Sequence, residues 1–364
     1  MPVTPLSVSG SDGVSSSASP SSLSPSSASP SSASPSSGDS SRSGLGRLAR
    51  CSAAAAALLL VGSQAGCELT DEILAPAEDV VVVEGLVQLR DDIDGQRVVV
   101  FLHRTVSGDR PIEVPGASVT VTDPAGRVLL VPETSTDECV AAAPDVDRPG
   151  TCYRLAEDEG LGLVPGDRLE LTVRTAAGEE LRSATTIPDR HTILTTDQEW
   201  CWIYPNTQLD LVWSPSPGAW AYFAEALLND LDDAVRDEGI EVEEDPFYLT
   251  GVSVSSADTT IGFPGEFGVF DRGSIDTDLA VRLQLGVPGG VASEVAITAV
   301  DRNYTNWVRG GNFNPSGQVR IPSVRGQGTG YFGSAVVRAF QVFSIDLASP
   351  ATRCVGAEPD PRSD

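Results

Sequence analysis

A strict alternation of apolar and polar residues constrains the fold of this chain more than any other feature. Leu169, Leu171 and Val173 alternate with Arg, Glu and Thr side chains, and this period of two is typical of a β-strand with one buried and one solvated face. The turn-forming stretch Ala176-Ala177-Gly178 follows, and residues 181–187 then return as a second strand. The segment therefore predicts an antiparallel hairpin.

The same signature recurs through the chain. Residues 118–122 and 127–131 flank Asp123-Pro124-Ala125-Gly126, which has the composition of a tight turn. Residues 223–236 carry an apolar stripe at helical spacing and predict one short helix. With 35 Gly and 26 Pro among 364 residues, the chain favours short strands and an all-β fold of two antiparallel β-sandwich domains, Ig-like or transthyretin-like. Further strands are predicted at 80–89, 97–102, 209–213, 251–255, 279–285, 295–300 and 335–345.

Composition shifts divide the chain into segments. An N-terminal β-sandwich is predicted over 80–190 and a C-terminal β domain over 191–354, followed by a polar tail at 355–364. Residues 1–41 are Ser/Pro repeats with almost nothing apolar to bury, which predicts a disordered leader. Residues 67–79 form an acidic tether, and we expect it to be either a solvated spacer or a surface-export signal.

Residues 42–66 predict a lipoprotein signal peptide. Three arginines precede an apolar run at 51–62, and small residues at 63–66 lead to Cys67. Positive, apolar and small segments in this order are typical of a secretory signal, and Ala-Gly-Cys at its end resembles a bacterial lipobox. The apolar run is too short for the roughly 20 residues of a spanning helix. We expect Cys67 to become a lipidated N-terminus; an ordinary signal peptide and a short buried helix are the alternatives.

Charge restricts the partners. The formal net charge is −27, and the basic residues are all arginines. Such a field repels phosphate backbones, so a nucleic-acid partner is excluded.

Four cysteines remain beyond Cys51 in the signal and Cys67. An even number in an exported chain predicts two disulfides, and four cysteines allow three connectivities. We predict that Cys139 pairs with Cys152 across a Pro- and Gly-containing loop, and that Cys201 pairs with Cys354 to tie the end of the chain to the second domain. No CxxC spacing occurs, so a zinc site is not expected.

Several motifs match functional patterns only in part. Gly328-x-Gly330-x-x-Gly333 matches a dinucleotide fingerprint, but the residues after it predict a strand, so a structural glycine loop is favoured. Residues 90–95 resemble a calcium loop without the required acidic ligands, and we expect a solvated turn, with a weak non-EF calcium site left open.

No nucleophile elbow accompanies His103 or His191. We therefore predict a protein that is not an enzyme and has no cofactor.

The aromatic run at 200–204 is the best binding candidate in the sequence. In a strand, Trp200, Trp202 and Tyr204 share one face, while Cys201 and Ile203 share the other. Aromatic faces suit a glycan or peptide ligand. Packing of these rings in the core or between domains is the alternative.

The chain resembles an uncharacterised family of Bacteroidota envelope lipoproteins. Besides the lipobox, the resemblance rests on residues 116–123 with Gly126, on residues 163–167 leading to Ile187-Pro188, on Asn303-Tyr304, and on residues 328–333. It implies a lipid anchor in the outer membrane, on the periplasmic or cell-surface side, and a gene often encoded near TonB-dependent receptors. It implies no catalytic residues.

These features predict a lipid-anchored envelope protein that acts as a binding or assembly accessory to an outer-membrane transporter. A secreted hydrolase with an unrecognised site is the first rival. A surface adhesin or structural protein is the second.

Overall fold

We describe the protein from a computed structural model. The structure describes residues 79–90, 95–105, 112–136, 139, 149–155, 161–242, 244–253, 255–268, 277–309, 320–345 and 352–355. The predicted leader, signal peptide, lipidation site Cys67 and nearly all of the tether lie outside these residues, as do the centre of the calcium-like loop and most of the tail.

Strands dominate the described part of the chain, which confirms the all-β prediction. Three short helices accompany them: α1 (Leu231–Val235), which a single 3₁₀ turn follows, α2 (Thr277–Leu283) and α3 (Arg302–Arg309). The strands are β1 (Val81–Arg90), β2 (Gln96–Arg104), β3 (Ser118–Thr122), β4 (Val128–Val131), β5 (Glu133–Thr134), β6 (Thr151–Leu155), β7 (Arg168–Arg174), β8 (Glu180–Thr186), β9 (Trp200–Ile203), β10 (Leu209–Val212), β11 (Ala221–Asn229), β12 (Phe247–Val252), β13 (Thr260–Phe263), β14 (Ala292–Val300), β15 (Arg325–Gly326) and β16 (Gly328–Ser344).

A nine-stranded sheet runs through the molecule. Its order is β12-β11-β14-β16-β1-β2-β6-β5, and β9 pairs with the C-terminal end of β16. The 17-residue strand β16 is parallel to both β1 and β9, whereas the other pairs of the sheet are antiparallel. One long strand therefore joins elements from both ends of the sequence.

Close approach of β1 explains the glycines of β16. A Cβ added at Gly330 would lie 2.0 Å from the carbonyl oxygen of Val83, and one added at Gly328 would lie 2.3 Å from that of Val81. Gly330 also has a φ of 122°, which favours glycine. The motif is thus part of a strand, as a structural interpretation requires, although it forms no loop.

The first core is a sandwich. One end of the nine-stranded sheet packs on a five-stranded sheet of order β15-β8-β7-β3-β4. The predicted alternation is confirmed here, because the apolar residues of β7 are at most 1% exposed while Arg168, Glu170 and Arg174 face solvent. The apolar side chains that β1, β7, β8 and β16 contribute to this core include Val81, Val83, Leu169, Leu171, Val173, Leu181, Phe332 and Val336.

The second core lies against the other end of the nine-stranded sheet. It packs β9, β11, β14 and the end of β16 against the two-stranded sheet β10-β13 and against helices α1 and α2. Aromatic residues are prominent in it: the rings of Trp213 and Tyr222 lie 5.3 Å apart, and those of Phe263 and Phe267 lie 5.2 Å apart. Residues from both sides of the predicted boundary near residue 190 contribute to the first core, since Phe332 and Val336 belong to it, and both cores share one hydrogen-bonded sheet.

Two predicted elements were wrong. Residues 221–229 form strand β11 and not the first part of a helix, because both faces of this strand are buried and such a strand has no polar alternation. Only Leu231–Val235 is α-helical there. Residues 277–283 form helix α2 where a strand was predicted; Leu279 and Leu283 are buried one turn apart.

Both predicted disulfides are confirmed. Cys139 and Cys152 are bridged with a Cα–Cα distance of 5.7 Å, and the bridge ties the loop after β5 to β6. Cys201 and Cys354 are bridged at 5.0 Å across a sequence separation of 153 residues, and this bridge attaches the segment around Cys354 to β9.

Candidate functional site

The predicted aromatic face lies on β9 but does not form an open platform. Trp200 is 41% exposed, whereas Trp202 is 5% exposed. The ring of Trp202 packs 5.0 Å from that of Tyr204, and the Arg353 guanidinium lies 5.1 Å from the Tyr204 ring. The backbone of Trp202 also pairs with Thr352 and Cys354. Of the three rings, Trp200 is therefore the one that remains accessible, and binding through this face stays a prediction.

The two histidines have different surroundings. His191 is 3% exposed, and its Nε2 lies 3.1 Å from the carbonyl oxygen of Ile297 in the second core. His103 on β2 lies 4.0 Å from a carboxylate oxygen of Glu84. Within the described ranges, no three His, Cys, Asp or Glu residues are grouped as a metal site.

A groove of about 930 Å³ lies on the outer face of the five-stranded sheet. Strands β7, β8 and β15, helix α3 and residues 321–323 line it. Arg168, Arg182, Arg302 and Arg325 project from these elements, and we call this site the arginine groove. Its lining has four arginines against two glutamates, an excess of positive charge in a chain whose net charge is −27.

Two of the arginines are direct neighbours across a strand pair. Arg325 of β15 is opposite Arg182 of β8 in the antiparallel ladder. Side chains in such positions point to the same face, about 5 Å apart at Cβ, and like charges placed there repel one another. The sheet thus holds two guanidinium groups together at a cost.

One carboxylate partly offsets this charge. Arg182 Nε donates a hydrogen bond to Glu180 Oε1 at 2.6 Å, and Arg174 Nε donates to Glu180 Oε2 at 3.2 Å. The hydrogen bonds from Arg182 and then Arg174 hold the pKa of Glu180 below its usual range. Glu180 is already shared by two arginines, and no carboxylate of the described chain lies within ion-pair distance of Arg325.

The remaining two arginines lie at other positions around the groove. Arg168 Nε lies 3.9 Å from Glu170 Oε1, a loose ion pair at the surface. The Arg302 guanidinium lies 4.8 Å from the centre of the Trp220 ring, and Trp220 is 45% exposed. An aromatic face therefore lies next to the cationic groove.

Hydrogen bonds hold the groove's floor in place. Asn303 Nδ2 donates to the carbonyl oxygens of Ala184 at 2.7 Å and Phe332 at 2.9 Å, which ties α3 to β8 and β16. Ser183 Oγ bonds the carbonyl oxygen of Ser323 at 3.1 Å and anchors residues 321–323 to β8. These contacts fix helix α3 and residues 321–323 against β8.

Helix α3 is also anchored at its N-terminus. Asp301 Oδ1 accepts a hydrogen bond from the Tyr304 amide at 3.0 Å, and Asp301 Oδ2 accepts one from Thr185 Oγ1 at 2.7 Å. Burial raises the pKa of Asp301 above its usual range. These hydrogen bonds fix the N-terminus of helix α3, and with it Arg302, against β8.

Sequence reasoning missed this site because its arginines come from strand faces and a helix far apart in the chain. Arg168 was attributed only to the solvated face of a hairpin, and Arg182, Arg302 and Arg325 belonged to no motif. Asn303 was a useful signal, since it was singled out in the family resemblance and holds the floor of the groove.

A buried carboxyl lies elsewhere, on β11. Glu225 is 5% exposed and accepts a hydrogen bond from the Tyr248 hydroxyl of the neighbouring strand. Burial raises the pKa of Glu225 to about 8, although the Tyr248 hydrogen bond and the charges of Arg97 and Arg90 oppose the shift. Glu225 is thus a titratable group in the part of the sheet that carries the second core.

Comparisons with known proteins add little. No family model and no curated protein sequence matches this chain. A crystal structure of trypsin-activated α2-macroglobulin from Escherichia coli is similar over 73% of this chain and 16% of that chain, with 10% sequence identity and a TM-score of 0.18. A TM-score of this size carries no argument about function. Among the helices that the structure describes, none is long and apolar enough to cross a membrane.

Proposed function

We propose that this protein is a lipid-anchored binding protein of the bacterial outer membrane, an accessory that holds a ligand for a neighbouring transporter. The arginine groove is the observation that carries the proposal. Its floor is held by hydrogen bonds, it is accessible, and its charge is opposite to that of the chain as a whole; these are properties of a recognition site.

The chemistry of the groove supports binding over catalysis. Its charged groups are guanidinium groups and carboxylates at the surface, and the two histidines, His103 and His191, do not line it. Guanidinium groups recognise carboxylates and phosphates through paired hydrogen bonds and do not exchange protons near neutral pH. The secreted hydrolase therefore remains the weaker alternative.

A thermal-shift experiment tests the binding function. Water-soluble extract from the envelope of the producing bacterium should raise the melting temperature of the wild type, since a ligand that binds only the native state stabilises it. The double variant Arg182→Gln/Arg325→Gln should show no rise. Arg236→Gln, which removes one positive charge at an exposed site outside the groove, should behave like the wild type.

Two results would contradict the proposal. An extract that never shifts the wild type, or that shifts the groove variant equally, would remove the groove as the binding site. Steady conversion of an extract component on long incubation, followed by chromatography, would identify a hydrolase.

The anchor has its own test. Metabolic labelling with a fatty acid should mark the wild type and not Cys67→Ala. The transporter partner should then be enriched when the wild type is purified from solubilised outer membranes, and not when Cys67→Ala is purified. Equal labelling of both forms would refute the anchor, and equal recovery of the same transporters would refute the accessory role.

A further inference from the structure

We infer that the arginine groove binds an acidic polysaccharide, a chain of sugars that carry both carboxylates and free hydroxyls. The inference rests on the proposed binding function and specifies its ligand. It follows from the mixture of charges in the groove and from the position of one aromatic ring.

The carboxylate site is the pair Arg182 and Arg325. They are opposite each other on β8 and β15, and Glu180, which hydrogen-bonds Arg182, is shared with Arg174. A guanidinium group presents a planar fork that matches a carboxylate through two parallel hydrogen bonds. A bound carboxylate would bridge the two guanidinium groups and relieve their repulsion.

The hydroxyl groups of a sugar would hydrogen-bond to the polar side chains that line the groove beside the arginines. Glu170 lines the same groove as Arg168, and Asn306 and Thr172 line it too. A carboxylate repels an anion that carries no donors, such as sulfate, but it accepts hydrogen bonds from hydroxyl groups. A ligand that uses Glu170 as well as the arginines must therefore present hydroxyls beside its negative charge, as an acidic sugar does.

An aromatic ring lies beside the groove. Arg302 lines the groove, and its guanidinium lies 4.8 Å from the centre of the Trp220 ring, which is 45% exposed and is not itself part of the lining. The CH face of a sugar ring packs on the exposed part of such a ring. An acidic peptide would instead need pockets for apolar side chains, and Leu171, Ile321 and Pro322 are the largest apolar residues of the lining. A sugar fits the polar groove better.

The net charge of the protein limits the length of the ligand. At physiological salt the Debye length is about 8 Å, so a few sugars in the groove interact with the local arginines. A long polyanion extends over the acidic surface and is repelled. Short acidic oligosaccharides, or the end of a longer chain, are the expected ligands.

Calorimetric titration with trigalacturonate tests the inference on the full mature chain. The wild type should bind it, and a neutral galactose trisaccharide should bind at least about tenfold more weakly, since charge-assisted hydrogen bonds to guanidinium groups are lost. Arg325→Gln, at a residue with no described ion pair, should weaken binding by about tenfold without changing the melting temperature. Arg236→Gln should leave binding unchanged.

Each contrary outcome has a clear meaning. No heat with trigalacturonate, equal binding of the neutral sugar, or unchanged binding by Arg325→Gln would overturn the inference. Binding of a tri-glutamate peptide as tight as that of trigalacturonate would overturn it in favour of an acidic peptide. If envelope extract shifts the wild type through the groove while trigalacturonate does not bind, the binding function stands and the acidic sugar alone is wrong.

Discussion

The two halves of the molecule bury similar apolar cores but assemble them over different distances in the chain. Much of the first core comes from local hairpins such as β3-β4 and β7-β8, and its disulfide closes a separation of 13 residues. The second core needs β9 to pair with β16 and is closed by a disulfide over 153 residues. The first core also needs one distant pair, because Val81 of β1 lies opposite Gly328 of β16. The halves therefore differ in their local hairpins and in the loop that each disulfide closes, and the longer loop has the larger closure entropy.

Loss of the Cys201–Cys354 bridge should have the largest effect. In the chain-entropy model a loop of this length contributes about 5 kcal/mol to the free energy of unfolding, so Cys201→Ser/Cys354→Ser should destabilise the protein by up to about that amount. Urea unfolding of the oxidised protein measures it. Hydrogen exchange should show faster opening of β9 and β10 than of β7 and β8. A loss below about 1 kcal/mol would contradict the entropy argument.

Loss of the Cys139–Cys152 bridge should cost less. The same model gives about 3 kcal/mol for a loop of this size, and the effect should be confined to β5, β6 and the first core. Urea unfolding of Cys139→Ser/Cys152→Ser beside the other double variant makes the comparison direct. If this pair costs more than the long-range pair, the difference between the halves does not follow chain separation.

The buried carboxyl of β11 should make stability depend on pH. The pKa of Glu225 is raised in the folded state to about 8, so unfolding releases a proton at intermediate pH. The contribution of Glu225 to stability should be largest below the ordinary carboxyl range and should fall as pH rises toward 8, by about 1.4 kcal/mol per pH unit at most. Melting temperatures from pH 5 to 8 measure this slope.

Glu225→Gln should flatten that slope, because a neutral amide does not titrate. Glu244→Gln, the same change at an exposed residue, is the control and should leave the slope unchanged. An unchanged slope in Glu225→Gln would show that another group carries the pH dependence.

The smallest expected effect concerns one hydroxyl of the first core. Tyr153 Oη donates to the carbonyl oxygen of Val114 at 2.8 Å and accepts from the Ala117 amide at 2.9 Å. Tyr153→Phe should destabilise by about 1 kcal/mol, since buried backbone groups lose their partner. Tyr204→Phe in the second half, whose hydroxyl has no described hydrogen bond, should be neutral by urea unfolding. A neutral Tyr153→Phe would mean that water replaces the hydroxyl.

The hairpins that the sequence predicted correctly belong to the first core, and the two elements that it predicted wrongly belong to the second. The hairpins β3-β4 and β7-β8 were predicted because alternation and turn residues lie close together in the chain. Strand β11 was mistaken for a helix because a strand buried on both faces carries no alternation. Helix α2 was mistaken for a strand because its short apolar run has no distinct period.

The residues of the candidate sites could also be predicted from the sequence only in part. The aromatic run at 200–204 was visible in the sequence, and the predicted Cys201–Cys354 bridge brings the segment around Cys354 against Trp202; the burial of Trp202 was weighed there only as the alternative. The arginine groove was invisible, because Arg182 and Arg325 become neighbours only through the pairing of β8 with β15.

The sequence by itself determined the strand-rich class, because period and turn chemistry are local properties of the chain, and it allowed the disulfide pairs to be predicted among three connectivities. Tertiary structure alone decided that one strand, β16, unites the two cores, and that arginines from four separate elements line one groove. Those features depend on which distant strands pair. Pairing is selected by the burial of whole sheet faces, and no single segment carries that information.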